Sequence, residues 1–95
     1  MTPLFSVRTT PRFDRLLHRL RKHPGLTDAY ARAFEILSAD PYSRTRAHQI
    51  RKLEDVALGE GQYRLRIGRW RIRYDIRGQN VILHSCSLRR EDTYR

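Results

Sequence analysis

Between Gln62 and Asp75 the chain alternates cations with apolar residues. Arg64, Arg66, Arg71 and Arg73 sit at every second position, Arg69 falls between the two runs, and Tyr63, Leu65, Ile67, Trp70, Ile72 and Tyr74 fill the places between. A period of two sends alternate side chains to opposite faces of a sheet. The spacing therefore predicts a hairpin with one apolar face and one face of arginine. A guanidinium grips phosphate or carboxylate through two parallel hydrogen bonds and stacks on planar groups. Like charges on neighbouring strands repel, so a packed arginine face predicts an anionic partner.

Other residues offer less. His48 and His84 are candidate proton-transfer groups, histidine being the side-chain type suited to acid–base work near neutral pH. Glu54 and Asp55 form an acidic pair without a second cluster. The four histidines and the single cysteine have no metal-ligand spacing, and there is no glycine-rich phosphate loop. Neither a metal site nor a cofactor is expected. Cys86, Trp70, Tyr74 and Tyr63 read as core residues.

Composition narrows the partner. Twenty Lys plus Arg stand against ten Asp plus Glu, a formal charge of +10 on 95 residues, and lysine occurs only at Lys22 and Lys52. The leading partners are nucleic acid or an acidic protein. One cysteine cannot form an internal disulfide and fits a reducing compartment. No signal peptide or bilayer-length apolar run is read, so the expected location is the cytoplasm, with no membrane partner.

The length suits one domain spanning residues 1–95. Leu4 to Arg8 predicts a first strand. Thr10, Pro11 and Asp14 predict a helix start, with Phe13, Leu16, Leu17 and Leu20 as its apolar stripe and His23-Pro24-Gly25 as its stop. A second helix is expected from about Thr27 to about Ala39, with Tyr30, Ala33, Phe34 and Leu37 on one side. Residues 41–52 read as a basic loop. Three strands follow, turning at Gly68-Arg69 and Gly78-Gln79-Asn80 and ending with Val81 to Ser87. The expected fold is α+β, in the order β-α-α-β-β-β, an antiparallel sheet with a helical hairpin packed on one face.

The run Gly61-Gln62-Tyr63-Arg64-Leu65-Arg66-Ile67-Gly68-Arg69-Trp70-Arg71-Ile72-Arg73-Tyr74 resembles the central hairpin of RelE/ParE-type toxins. Lys52-Leu53 ahead of it and the ending Arg89-Arg90-Glu91-Asp92-Thr93-Tyr94-Arg95 strengthen the resemblance, which covers nearly the whole chain. RelE-like members cut messenger RNA on the ribosome without a metal. A ribose 2′-hydroxyl attacks the adjacent phosphate and leaves a 2′,3′-cyclic phosphate and a 5′-hydroxyl. ParE-like members share the fold and poison DNA gyrase. Both kinds are held by an antitoxin, so an acidic antitoxin, messenger RNA and the ribosome are the partners the resemblance implies.

Position by position, the resemblance implies that Arg64, Arg66 and Arg71 grip the scissile phosphate. It places Arg89 near the leaving oxygen and Tyr94 against the nucleotide. Lys52, Arg69, Arg73, His48 and Arg90 are expected to add contacts to RNA. RelE-like sites often carry Lys where Arg64 and Arg66 stand, and arginine does not deprotonate, so neither can serve as a general base. The readings left open are a ribonuclease toxin, a gyrase-directed inhibitor without nuclease chemistry, and a noncatalytic nucleic-acid-binding module on the same scaffold.

Overall fold

A computed structural model describes residues 4–88. The elements are β1 (Ser6–Thr9), α1 (Pro11–Leu20), α2 (Leu26–Ala39), β2 (Gln49–Lys52), β3 (Tyr63–Ile67), β4 (Trp70–Arg77) and β5 (Asn80–Leu88). One five-stranded sheet runs in the order β1-β5-β4-β3-β2, and both helices cover the same face. No described helix is long and apolar enough to cross a membrane.

Local signals start the first helix. The Thr10 hydroxyl accepts from the Phe13 amide at 3.0 Å, and Pro11 takes the first helical position, where an amide hydrogen has no partner to lose. The stripe from α1 then packs over β5, while α2 packs over β1, β3 and β4. Between them lie Phe13, Ala33, Ile36, Leu37, Leu65, Ile72, Tyr74, Ile76, Val81, Leu83 and Cys86, the buried core. Trp70 is buried too, edge-on to the His23 ring.

The β3–β4 turn follows from its residues. Gly68 has φ +55°, which suits the first central position of a two-residue hairpin turn. Across β4, the pairs Tyr74–Leu83 and Arg73–Ser85 leave His84 as an extra residue in β5. The bulge lets Leu83 and Cys86 both reach the core although they are three residues apart.

Four details differ from the sequence reading. The segment read as a loop contains a strand, β2, paired antiparallel to β3. The sheet is mixed, because β1 runs parallel to β5 after the helical hairpin carries the chain across. The second helix begins at Leu26, one residue early, behind Gly25 in the left-handed region. Phe34 is 47% exposed, and α2 buries Ala29 and Ile36 in its stead, so the stripe is rotated from the one the spacing suggested.

Burial pushes the Cys86 thiol up to about 11. At pH 8 only about one thiol in a thousand is then ionised, against roughly a quarter for an unperturbed cysteine. Cys86 is therefore expected to resist a thiol reagent at pH 8 in the folded protein and to react promptly once denatured. Comparable rates in both states would contradict this packing.

Candidate anion-binding face

The strand register converts the arginine spacing into a surface. Arg64 lies opposite Arg73 and Arg66 opposite Arg71 across β3 and β4. On the other edge of β3, Arg51 lies opposite Arg64 and Gln49 opposite Arg66. On β5, Ser85 and Ser87 continue the rows beside Arg73 and Arg71. The face away from the helices thus carries two rows, Arg51–Arg64–Arg73–Ser85 and Gln49–Arg66–Arg71–Ser87. Adjacent strands lie about 4.8 Å apart, so one anion can meet guanidinium groups from two strands.

Arg51 was missed by the sequence reading. The strand that carries it has one inward apolar residue, Ile50, and four residues in all, too few to display a period. The same phase removes Lys52 from the face. Lys52 pairs with Tyr63, and its ammonium lies 5.8 Å from that ring, on the side where the helices pack. Arg69 sits exposed in the hairpin turn at one end of the rows. Arg89, Arg90 and Tyr94 lie outside the described residues; β5 ends with Leu88 opposite Trp70, beside the Ser87–Arg71 pair.

Arg73 plays a different part from its neighbours. Its Nε donates to the Gly61 carbonyl at 3.1 Å, and its Nη2 donates to the carbonyls of Gly61 and Glu60, each at 2.9 Å. Two residues on, the Asp75 carboxylate is 2% exposed and accepts from the amides of Gly61 (3.0 Å) and Gln62 (3.1 Å). One loop segment is therefore held from both sides, its carbonyls by a cation and its amides by an anion. The approach is close: a Cβ on Gly61 would meet the Arg73 Cβ at 3.0 Å, and Gly61 has φ +82°. His84 lies against the same glycine. The loop closes one end of the face and fixes where β3 begins, which sets the phase of Arg64 and Arg66.

On the helix side a tyrosine stack supports the same strands. Tyr63 stacks on Tyr74 at 5.4 Å, Tyr42 meets Tyr63 edge-on, and the Tyr74 hydroxyl donates to the Pro41 carbonyl at 2.6 Å. Burial holds the Tyr63 and Tyr74 phenols above their ordinary range, and Tyr74 keeps the proton it donates to Pro41. The Asp40 carboxylate organises the loop that follows. It accepts from the Arg44 amide at 2.8 Å and from the Thr45 hydroxyl at 2.7 Å. Burial alone would raise the Asp40 pKa; these hydrogen bonds, with His48 nearby, outweigh it and hold the group below its usual range. This turn leads to His48, which lines a cleft together with Arg66. Among the described residues, no three His, Cys, Asp or Glu side chains converge.

No protein-family model and no curated protein matches the sequence. Solved structures do match the fold. The toxin–antitoxin complex RelBE2 of Mycobacterium tuberculosis contains a chain 26% identical, with TM-score 0.66 over 92% of this chain and 99% of that one. The RelE–RelB complex of the archaeon Pyrococcus horikoshii gives 21% identity and TM-score 0.67 over 96% and 99%. The RelB–RelE complex of Methanococcus jannaschii gives 17% and 0.59 over 85% and 88%. The fold is RelE-like. The agreement covers both helices and the mixed sheet, and in this RelE-like sheet the face away from the helices is the one occupied by arginine.

The two-sided grip on Gly61 has a measurable consequence. Asp75→Ala strands buried amides and is expected to cost about 3 kcal/mol, a fall of more than about 10 °C in Tm. Arg64→Ala removes a like charge from between Arg51 and Arg73 and is expected to leave Tm unchanged or slightly higher. An unaltered Tm for Asp75→Ala would show that the loop does not depend on this carboxylate.

Proposed function

We propose that this chain is the toxin of a toxin–antitoxin pair, a metal-free endoribonuclease that cuts messenger RNA on the ribosome. The observation that carries the reading is the register that sets Arg64, Arg66 and Arg71 on neighbouring strands of the face away from the helices. Similarity to the RelE chains of three toxin–antitoxin complexes supports the toxin role and an antitoxin partner.

In this reading the scissile phosphate lies over Arg64, Arg66 and Arg71. The 2′-oxygen of the preceding ribose attacks phosphorus, the bond to the 5′-oxygen breaks, and that oxygen takes up a proton. Charge grows on the non-bridging oxygens as the phosphorus becomes five-coordinate. Guanidinium groups already in place stabilise that charge without reorganising. Arginine cannot take the proton from the 2′-hydroxyl. His48 shares a cleft with Arg66, whereas His84 lies against Gly61 beneath the loop, so His48 is the group assigned to proton transfer. The resemblance assigns Arg89 to the leaving oxygen and Tyr94 to the nucleotide; both lie outside the described residues. The antitoxin would offer carboxylates to the arginine rows and thereby occlude them.

Cell-free translation followed by primer extension tests the reading, comparing the protein with Arg71→Ala. New 3′ ends within the reading frame are expected on ribosome-bound message only, and at least about a hundredfold fewer with the variant. Intact message with normal translation would overturn the nuclease, and inhibition of gyrase supercoiling would then identify the alternative target. Intact message with retained RNA binding would select the noncatalytic module.

A further inference from the structure

At the edge of the sheet, β2 starts one residue short of the end of β3. Gln49 pairs with Arg66, and among the described residues none pairs with Ile67 on that side. The notch is closed from behind by α2, and the result is an open cleft of about 220 Å³. Its walls are of two kinds. Ile36 and Ile67 supply apolar surface; Arg32, His48, Gln49 and Arg66 supply polar groups, and among the described residues no carboxylate lines it. Arg66 belongs both to this cleft and to the arginine face.

We infer that the cleft is a subsite for one nucleobase of a single-stranded RNA whose backbone lies on the arginine face. At about 220 Å³ the cleft has room for one base. Apolar walls suit the faces of an aromatic ring, which in single-stranded RNA is free to turn out of a stack. Arginine and glutamine at the rim are the side chains that read base edges through paired hydrogen bonds. Cationic and polar lining by Arg32, His48 and Arg66, continuous with the arginine face, favours a ligand bearing phosphate. Arg66 is the hinge of this argument, because a phosphate held there places its own or the adjoining base within reach of the notch. The inference deepens the nuclease reading and rests on its phosphate site; it names what makes one position in the RNA matter more than its neighbours.

The test uses the full chain and a 2′-deoxy trinucleotide, which cannot be cleaved by 2′-oxygen attack. Affinity is measured for the intact oligonucleotide and for versions abasic at each position in turn. The wild-type protein is expected to lose at least about fivefold for one abasic position. That ratio should collapse toward one in Ala47→Trp, which fills the cleft from an exposed lining position, and in Arg32→Ala, which alters only its exposed rim. Equal affinity for intact and abasic oligonucleotides, or a ratio preserved in both variants, overturns the inference while leaving the phosphate site intact. Binding that is indifferent to Arg64→Ala overturns the phosphate site itself, and the subsite with it.

Discussion

Repulsion between guanidinium groups is the constraint around which this small protein is built. Arg64 faces Arg73 on one neighbour and Arg51 on the other, and Arg66 faces Arg71. Each such pairing costs up to about 1 kcal/mol in a sheet. The strands cannot avoid the cost by shifting register, because a slip of one residue would carry Leu65, Ile72 and Tyr74 into water. Core burial therefore holds the charges together. The carbonyls of Glu60 and Gly61 relieve the strain at one end of the face, where they accept from Arg73. At the other end, beside Arg66, a bound phosphate would add to that relief.

The rest of the chain serves that placement. The helices cover the back of the strands, and the tyrosine stack runs from Pro41 through Tyr74 and Tyr63 toward Lys52, tying the α2–β2 connection to the sheet. The Asp40 turn contributes stability above the ordinary carboxylate range and loses it as pH falls through the depressed value of that group. Its role is local: it sets the path of residues 40–45 ahead of His48 and the edge strand.

Much of the face was legible in the sequence because a strict period of two records both the strands and their two sides. Arg64, Arg66 and Arg71 fall where that period puts them. The edge strand was not legible, because Ile50 alone carries its inward side; with it went Arg51, which belongs to the face, and Lys52, which does not. Arg73 shows a second limit. Its spacing matches that of its neighbours, yet its guanidinium is spent on loop carbonyls twelve and thirteen residues away, a contact no local pattern encodes. Phe34 shows a third, since Phe34 and Ile36 lie two positions apart on α2 and only packing decides which turns inward. The resemblance to RelE/ParE toxins anticipated the fold, and the similarity to solved RelE chains bears it out. Arg89, Arg90 and Tyr94, expected from the same resemblance, lie outside the described residues.

The central claim is that one face, defined by strand phase, engages phosphate. The most direct measurement is the salt dependence of affinity for a short single-stranded RNA. In a plot of log affinity against log salt, removing one phosphate contact lowers the slope by about 0.7. Arg51→Ala, Arg64→Ala, Arg66→Ala and Arg71→Ala are each expected to do so, while Lys52→Ala leaves the slope as it was. A slope that falls equally for Lys52→Ala and the four arginine variants would mean that net charge alone, and not this face, binds the RNA.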